Sequence, residues 1–131
     1  MKFPIIPLEY LNHFVRGYFD GDGTVYLGFR KRPGGKLGLK RLITVFSSGS
    51  TRFLNAFSDI LAKRIAIRKA NINDGHRCFQ IKYSLRESIE LFKFMYNNVR
   101  GLCLERKFDK FEKFFNERPK YRDSEVLEFI G

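Results

Sequence analysis

Between Pro7 and Gly23 the chain carries a helical pattern that is apolar too far round its circumference to rest on a single surface. Tyr10, Phe14, Gly17 and Gly21 recur at spacings of four, three and four, so they share one face of a helix. Leu8, Leu11, Val15 and Tyr18 line a neighbouring face. A stripe this broad needs packing partners on more than one side. Two glycines four apart on an apolar face let another helix come close, as small residues do at tight crossings. Pro7 suits the first turn. The pattern stops at Asp20-Gly21-Asp22-Gly23, where glycine can end a helix, so the expected helix runs from Pro7 to Asp20.

Two alternating segments follow. From Thr24 to Arg32, Val25, Leu27 and Phe29 point one way, and Thr24, Tyr26, Gly28, Arg30 and Arg32 the other. Pro33-Gly34-Gly35 reads as a turn. The return strand, Leu37 to Ser47, sets Leu39, Arg41, Ile43 and Val45 against Lys40, Leu42, Thr44 and Phe46, with less clean faces. A second helix is expected from Ser50 to Arg64. A second hairpin is expected from Ile65–Ile72 and Arg77–Ser84, turning at Asn73-Asp74-Gly75-His76. Ser84 with Glu87 forms a capping box that opens a third helix to Asn97. A last helix is expected from Leu104 to Glu117, before Pro119. The tail, residues 118–131, is mostly polar, but Val126, Leu127, Phe129 and Ile130 could dock.

The element order is α-ββ-α-ββ-α-α. Alternating strands call for an α+β fold with one antiparallel sheet, one face covered by helices and one polar face open. The open face carries Arg30, Arg32, Lys40, Gln80 and Lys82. The length of 131 residues fits one domain over 1–131, and the high Phe content can build a core.

Charge is unevenly spread. Residues 23–86 hold fourteen basic and two acidic side chains, net +12, while the remainder is net −1. A polyanionic partner explains this segregation better than general solubility does. Cys78 and Cys103 are far apart and, with His13 and His76, give no zinc-ligand spacing. No apolar run approaches a membrane span, and the first ten residues lack a signal-peptide core, so an intracellular protein without membrane contact is expected.

The stretch Val15-Arg16-Gly17-Tyr18-Phe19-Asp20-Gly21-Asp22-Gly23 resembles the motif of the LAGLIDADG homing endonucleases. Gly17, Asp20, Asp22 and Gly23 match directly. Val15 and Phe19 are apolar replacements, and Gly21 is an allowed small residue. Arg16 departs from the motif's alanine and Tyr18 from its leucine. The α-ββ-α-ββ-α order is that of one family half, so the resemblance spans the chain.

The resemblance implies a site-specific double-stranded DNA endonuclease of the intron- or intein-encoded kind. One motif copy implies a homodimer that cuts a long pseudo-palindromic site, joined through Phe14, Gly17, Tyr18, Asp20 and Gly21. Asp22 and the Gly21 carbonyl are the implied ligands of Mg²⁺ or Mn²⁺, with Ca²⁺ able to occupy the site without supporting cleavage and no small-molecule cofactor. Asp20 has a mainly structural place in the family. Lys82, Arg106 and Lys107 are candidates for the basic catalytic residue, although Glu105 falls where the family often has lysine. Ser47 and Ser48 lie where family members carry a water-orienting polar residue, and either could instead cap the helix at Ser50. DNA contacts are implied for Thr24, Tyr26, Gly28, Arg30, Arg32, Lys36, Lys40, Thr44, Arg68, Gln80 and Lys82, since a two-stranded ribbon fits the major groove.

Other readings remain. A non-cutting binder, either a regulator or an RNA-splicing maturase, could use the same fold. A basic RNA-binding structural protein would explain the charge but not the glycine face beside Asp22. A calcium loop would need later ligands that are missing.

Overall fold

The alternating segments pair into a four-stranded antiparallel sheet of order β1-β2-β4-β3. The computed structural model describes residues 6–31, 33–35, 37–75, 77–96 and 105–130. Its elements are α1 (Leu11–Asp22), β1 (Gly23–Lys31), β2 (Leu37–Ser48), α2 (Thr51–Ile65), β3 (Ile72–Gly75), β4 (Cys78–Tyr83), α3 (Leu85–Met95), α4 (Glu105–Glu117) and α5 (Ser124–Ile130). A 3₁₀ turn, Leu8–Tyr10, precedes α1, so the helix starts later than Pro7 and runs two residues past Asp20. Leu104, Asn97 and Cys103 lie outside the described residues.

Helices α1 to α4 bring their apolar stripes to one face of the sheet. Val25, Leu42, Phe46, Ile81 and Tyr83 meet Leu11, Val15 and Phe19 of α1, Phe53, Leu54, Phe57 and Leu61 of α2, Leu91 and Phe92 of α3, and Phe111 and Phe115 of α4. Much of this core is aromatic. Phe46 packs edge-on to Phe57 at 4.8 Å, and Phe92 lies 5.1 Å from Phe111 and 5.0 Å from Phe115.

The strand phases hold with one exception. Gly28 pairs with Arg41, but Phe29 pairs with Leu39, so Lys40 is a bulge residue without a partner. The backbone register of β2 before Arg41 is therefore shifted by one residue from strict alternation. This bulge is the reason the faces of β2 read poorly in sequence. Burial along the inner row of β1 also fades outward, from Val25 to Phe29, which is 53% exposed.

The second hairpin differs from expectation. Residues 66–71 form no strand, and β3 covers only Ile72–Gly75, which pairs antiparallel with β4. Ala66 ends α2 in the left-handed region (φ 57°), and the chain is then captured by the helix it has just left. Ser58 Oγ accepts from the Ala70 amide at 2.8 Å and donates to the Ala70 carbonyl at 3.4 Å, while Ile67 and Ala70 enter the core. Backbone groups satisfied this way are not available for a ladder.

The capping box at Ser84 closes side chain to side chain: Ser84 Oγ donates to Glu87 Oε1 at 2.7 Å. In the tail, Val126 is fully buried, Leu127 is exposed, and the side chains of Phe129 and Ile130 lie outside the described residues. Asp123 Oδ1 accepts from the Val126 amide at 3.0 Å as α5 begins, and Lys93 donates to Asp123 Oδ2. Partial burial works against the Asp123 carboxylate, but the Lys93 and backbone hydrogen bonds outweigh it and hold Asp123 below its ordinary range.

Ser58→Ala is expected to lower the unfolding free energy by about 1–3 kcal/mol, as loss of a buried hydroxyl that serves two backbone groups requires; denaturant titration measures it. The lowered Asp123 value predicts a stability contribution that is full above its ordinary value of 3.8 and lost as pH falls through the folded-state value. Asp123→Asn should remove that part of the acid limb in a pH series of thermal unfolding.

Candidate functional site

The last turn of α1 and the first residue of β1 meet with no space between them. A Cβ on Gly23 would lie 2.4 Å from Phe19 Cδ1 and 2.7 Å from the Phe19 carbonyl oxygen. Gly23 keeps an ordinary extended φ of −88°, so glycine is needed here for the close approach and not for a left-handed turn. Its amide donates to the Phe19 carbonyl and ends the helix. This seating leaves Gly21 and Asp22 exposed at the helix end.

Lys107, from α4, reaches the same junction. Its Nζ donates to the carbonyls of Phe19 (2.7 Å), Asp20 (2.8 Å) and Gly23 (2.6 Å), and sits 5.2 Å from the centre of the Phe19 ring. Burial pulls the ammonium below its ordinary range, with Asp20 opposing and Arg106 assisting. The last carbonyls of a helix lack intrahelical partners, and a cation there is favourable. Gly21, Asp22, Gly23, Thr24 and Val25 form one wall of a cleft whose other wall is Arg106, Lys107 and Lys110. The sequence placed Lys107 with the catalytic cations; its three N–H donors are instead spent on backbone within this chain.

The register places the remaining polar residues. Gly23 pairs with Phe46, so Ser47 follows at the same end of the ladder, and Ser47 pairs with Gln80. Gln80 Nε2 donates to Ser47 Oγ at 3.4 Å. Ser48 Oγ accepts from the Ser50 amide at 3.0 Å, and Ser50 Oγ from the Phe53 amide at 3.1 Å. Capping is thus done by Ser48 and Ser50, while Ser47 lies beside Gln80 on the open face. Lys82 pairs with Val45 further along the sheet, on the exposed face.

The open face therefore carries Thr24, Tyr26, Gly28, Arg41, Ser47, Asn73, Gln80 and Lys82. Tyr26 is 53% exposed. Arg41 lies over Gly28, where a Cβ would meet the arginine Cβ at 2.8 Å. Sequence reasoning missed Asn73, whose pairing with Gln80 depends on the shifted β3. Thr44 is a correction. It pairs with Val25 on the helix-covered side, is fully buried, and donates from Oγ1 to Ser88 Oγ at 2.8 Å, so it cannot contact DNA. Val45 is 1% exposed although it belongs to the open face. Arg68 is paired with Glu87 at 3.0 Å, and its Nη2 donates to the Lys82 carbonyl at 3.5 Å. Arg32 and Lys36 lie outside the described residues, as do the side chains of Arg30 and Lys40.

The outer face of α1 is open. Among the described residues, a Cβ added at Gly17 or Gly21 meets nothing within 4 Å. Phe14 is half-buried and stacks on Tyr18. Tyr18 itself turns inward: its ring packs on Phe53 at 5.2 Å and Phe57 at 5.5 Å, and its hydroxyl donates to the Ser47 carbonyl. Tyr18 is half-buried, with one side of its ring on Phe14. Burial pushes the Tyr18 phenol up, Ser48 opposes, and the Asp22 charge adds to the rise.

A family model described as a LAGLIDADG-like domain matches residues 9–94. The chain belongs to this family. No curated protein matches the LAGLIDADG-like chain by sequence at a significant level. Among solved structures, the group I intron-encoded homing endonuclease I-CeuI complexed with DNA aligns with a TM-score of 0.60 at 12% identity, covering 95% of this chain and 64% of that one. The homing endonuclease I-CvuI in complex with the I-CreI target aligns at 0.56 and 11% identity, covering 92% and 74%. The archaeal intron-encoded homing endonuclease I-Vdi141I complexed with DNA aligns at 0.53 and 10%, covering 95% and 96%. These likenesses establish the LAGLIDADG homing endonuclease fold. No helix among the described residues is long and apolar enough to cross a membrane.

Gly23→Ala should lower stability by about 1–3 kcal/mol, because the added methyl meets backbone that cannot move aside. Circular dichroism melting of this variant beside Gly49→Ala, where nothing lies within 4 Å, checks it: comparable losses would remove the close-approach argument.

Proposed function

We propose that this LAGLIDADG-like chain is a site-specific endonuclease that cuts double-stranded DNA as a homodimer by Mg²⁺-dependent phosphodiester hydrolysis. The observation that carries the reading is the position of Asp22. It stands exposed where an unobstructed glycine face, a basic cleft and the open sheet converge.

Two copies packed through Gly17 and Gly21 would bring their Asp22 side chains towards one centre. The donor set fits this arrangement. Among the described residues no group of three or more His, Cys, Asp or Glu is placed to hold a metal. One chain offers the Asp22 carboxylate and the Gly21 carbonyl, a hard oxygen set that suits Mg²⁺ when phosphate and a second acid complete it. Bound there, the ion supplies charge neutralisation at the phosphate and activation of water.

The chain's own residues supply the rest. The open sheet face enters the major groove, where Tyr26, Arg41, Gln80 and Lys82 meet base edges and backbone. Ser47, steadied by Gln80, follows the residue that pairs with Gly23 and can hydrogen-bond a water near the phosphate. Lys110 and Arg106 border the same cleft and favour the charge that builds on phosphate oxygens. Water provides the oxygen that bonds to phosphorus, and the departing sugar oxygen leaves with the broken bond's electron pair and takes a proton.

Asp22→Asn should abolish cleavage of a duplex target while changing DNA affinity less than threefold; plasmid linearisation and gel-shift titration read the two. Undiminished cutting by Asp22→Asn would sink the assignment. Gly17→Leu should leave the melting temperature of the separated chain unchanged, since its Cβ meets open space, yet convert dimer to monomer. Sedimentation at several concentrations reads this, and a fully dimeric variant would contradict it.

A further inference from the structure

Helical spacing puts Arg106, Lys107, Lys110 and Lys113 along one flank of α4, with Asp109 and Glu112 on the other. The helix is formally balanced in charge, and its basic flank, which Glu117 joins only at the last residue, lies along β1. That strand is an edge of the sheet. Lys107 bonds the Gly23 carbonyl, Lys110 the Val25 carbonyl at 3.4 Å, and Lys113 sits 5.7 Å from the Phe29 ring centre.

These cations are not equivalent. A lysine ammonium has three donors. All three of Lys107 are used on carbonyls that encircle the end of α1, and the side chain is half-buried. Lys110 has one long hydrogen bond and is exposed, and Arg106 is exposed on the same cleft. From this division we infer that Lys107 is a positioning residue, fixing the backbone that carries Gly21 and Asp22, and that Arg106 and Lys110 are the phosphate-binding cations of the cleft. The inference rests on the DNA-cutting reading above.

Lys107 joins two elements far apart in sequence at the point where the acid emerges. Removing its ammonium takes a donor from three carbonyls, of which that of Phe19 keeps only the Gly23 amide, and the position of Asp22 loosens with them. Its positive charge is directed into the chain, so a passing phosphate has no N–H of Lys107 to meet. Lys110 and Arg106 keep donors that do face the cleft. A residue that neutralises a phosphate releases about one counterion and thus contributes about one unit to the salt dependence of DNA affinity. A residue acting through the backbone contributes none.

Lys107→Met, Lys110→Met and Arg106→Met, each in the full chain, are titrated with a duplex of fixed length over a range of salt. The slope of log K against log salt should fall by about two for Lys110→Met and for Arg106→Met, because the homodimer loses two such cations, and stay unchanged for Lys107→Met. Lys107→Arg keeps the charge if the methionine variant folds poorly. A guanidinium cannot aim three N–H groups from one atom, so its cleavage rate at saturating DNA should drop at least tenfold with DNA affinity retained. A reduced slope for Lys107→Met, full-rate cutting by Lys107→Arg, or unchanged slopes for both other variants would overturn the inference. Absence of salt-dependent duplex binding by the unsubstituted chain would instead refute the DNA-cutting reading itself.

Discussion

The contact between Phe19 and Gly23 is the constraint on which this structure depends. Phe19 is fully buried, and the chain turns back over it within four residues. That turn converts the end of α1 into the start of β1 without a loop. A loop would let the acid wander; direct continuity ties Asp22 to the sheet register. Lys107 then closes the junction from the far end of the chain, supplying hydrogen bonds that the helix terminus lacks.

The broad apolar stripe of α1 resolves into two different environments. Leu11, Val15 and Phe19 go into the shared core, and Tyr18 packs with Phe53 and Phe57 of α2. Gly17 and Gly21 remain on the outside, with nothing among the described residues within 4 Å of an added Cβ. A helix that satisfies its large residues internally and leaves its small ones outward has an arrangement suited to a second helix. The same rotation sets Asp22 on the border between that surface and the open sheet, which keeps association and chemistry at one place.

Much of this was legible in sequence because it follows from period. The first helix, the first hairpin, the second helix and the inner rows of β1 and β4 obey helical or alternating spacing, and a one-residue error would have turned apolar side chains to water. The motif acids also sat where the pattern stopped. The failures share a cause. Residues 66–71 look like a strand by composition, but Ser58 satisfies Ala70 and holds the segment against α2. Thr44 looks like a surface residue, but the ladder turns it towards Ser88. The bulge at Lys40 shifts the register of β2 by one residue without leaving any local mark.

The sequence alone determined that an apolar, glycine-bearing helix ends in two acids ahead of a basic, strand-rich segment. Periodicity and charge order along the chain are one-dimensional properties, so they can be read without a fold. Only tertiary structure decided which cation meets the end of that helix. Lys107 is 88 residues from Phe19, and its character depends on carbonyls whose directions arise when α4 docks along β1. A lysine in open solvent and a lysine spent on three backbone oxygens are the same letter, distinguished by packing alone.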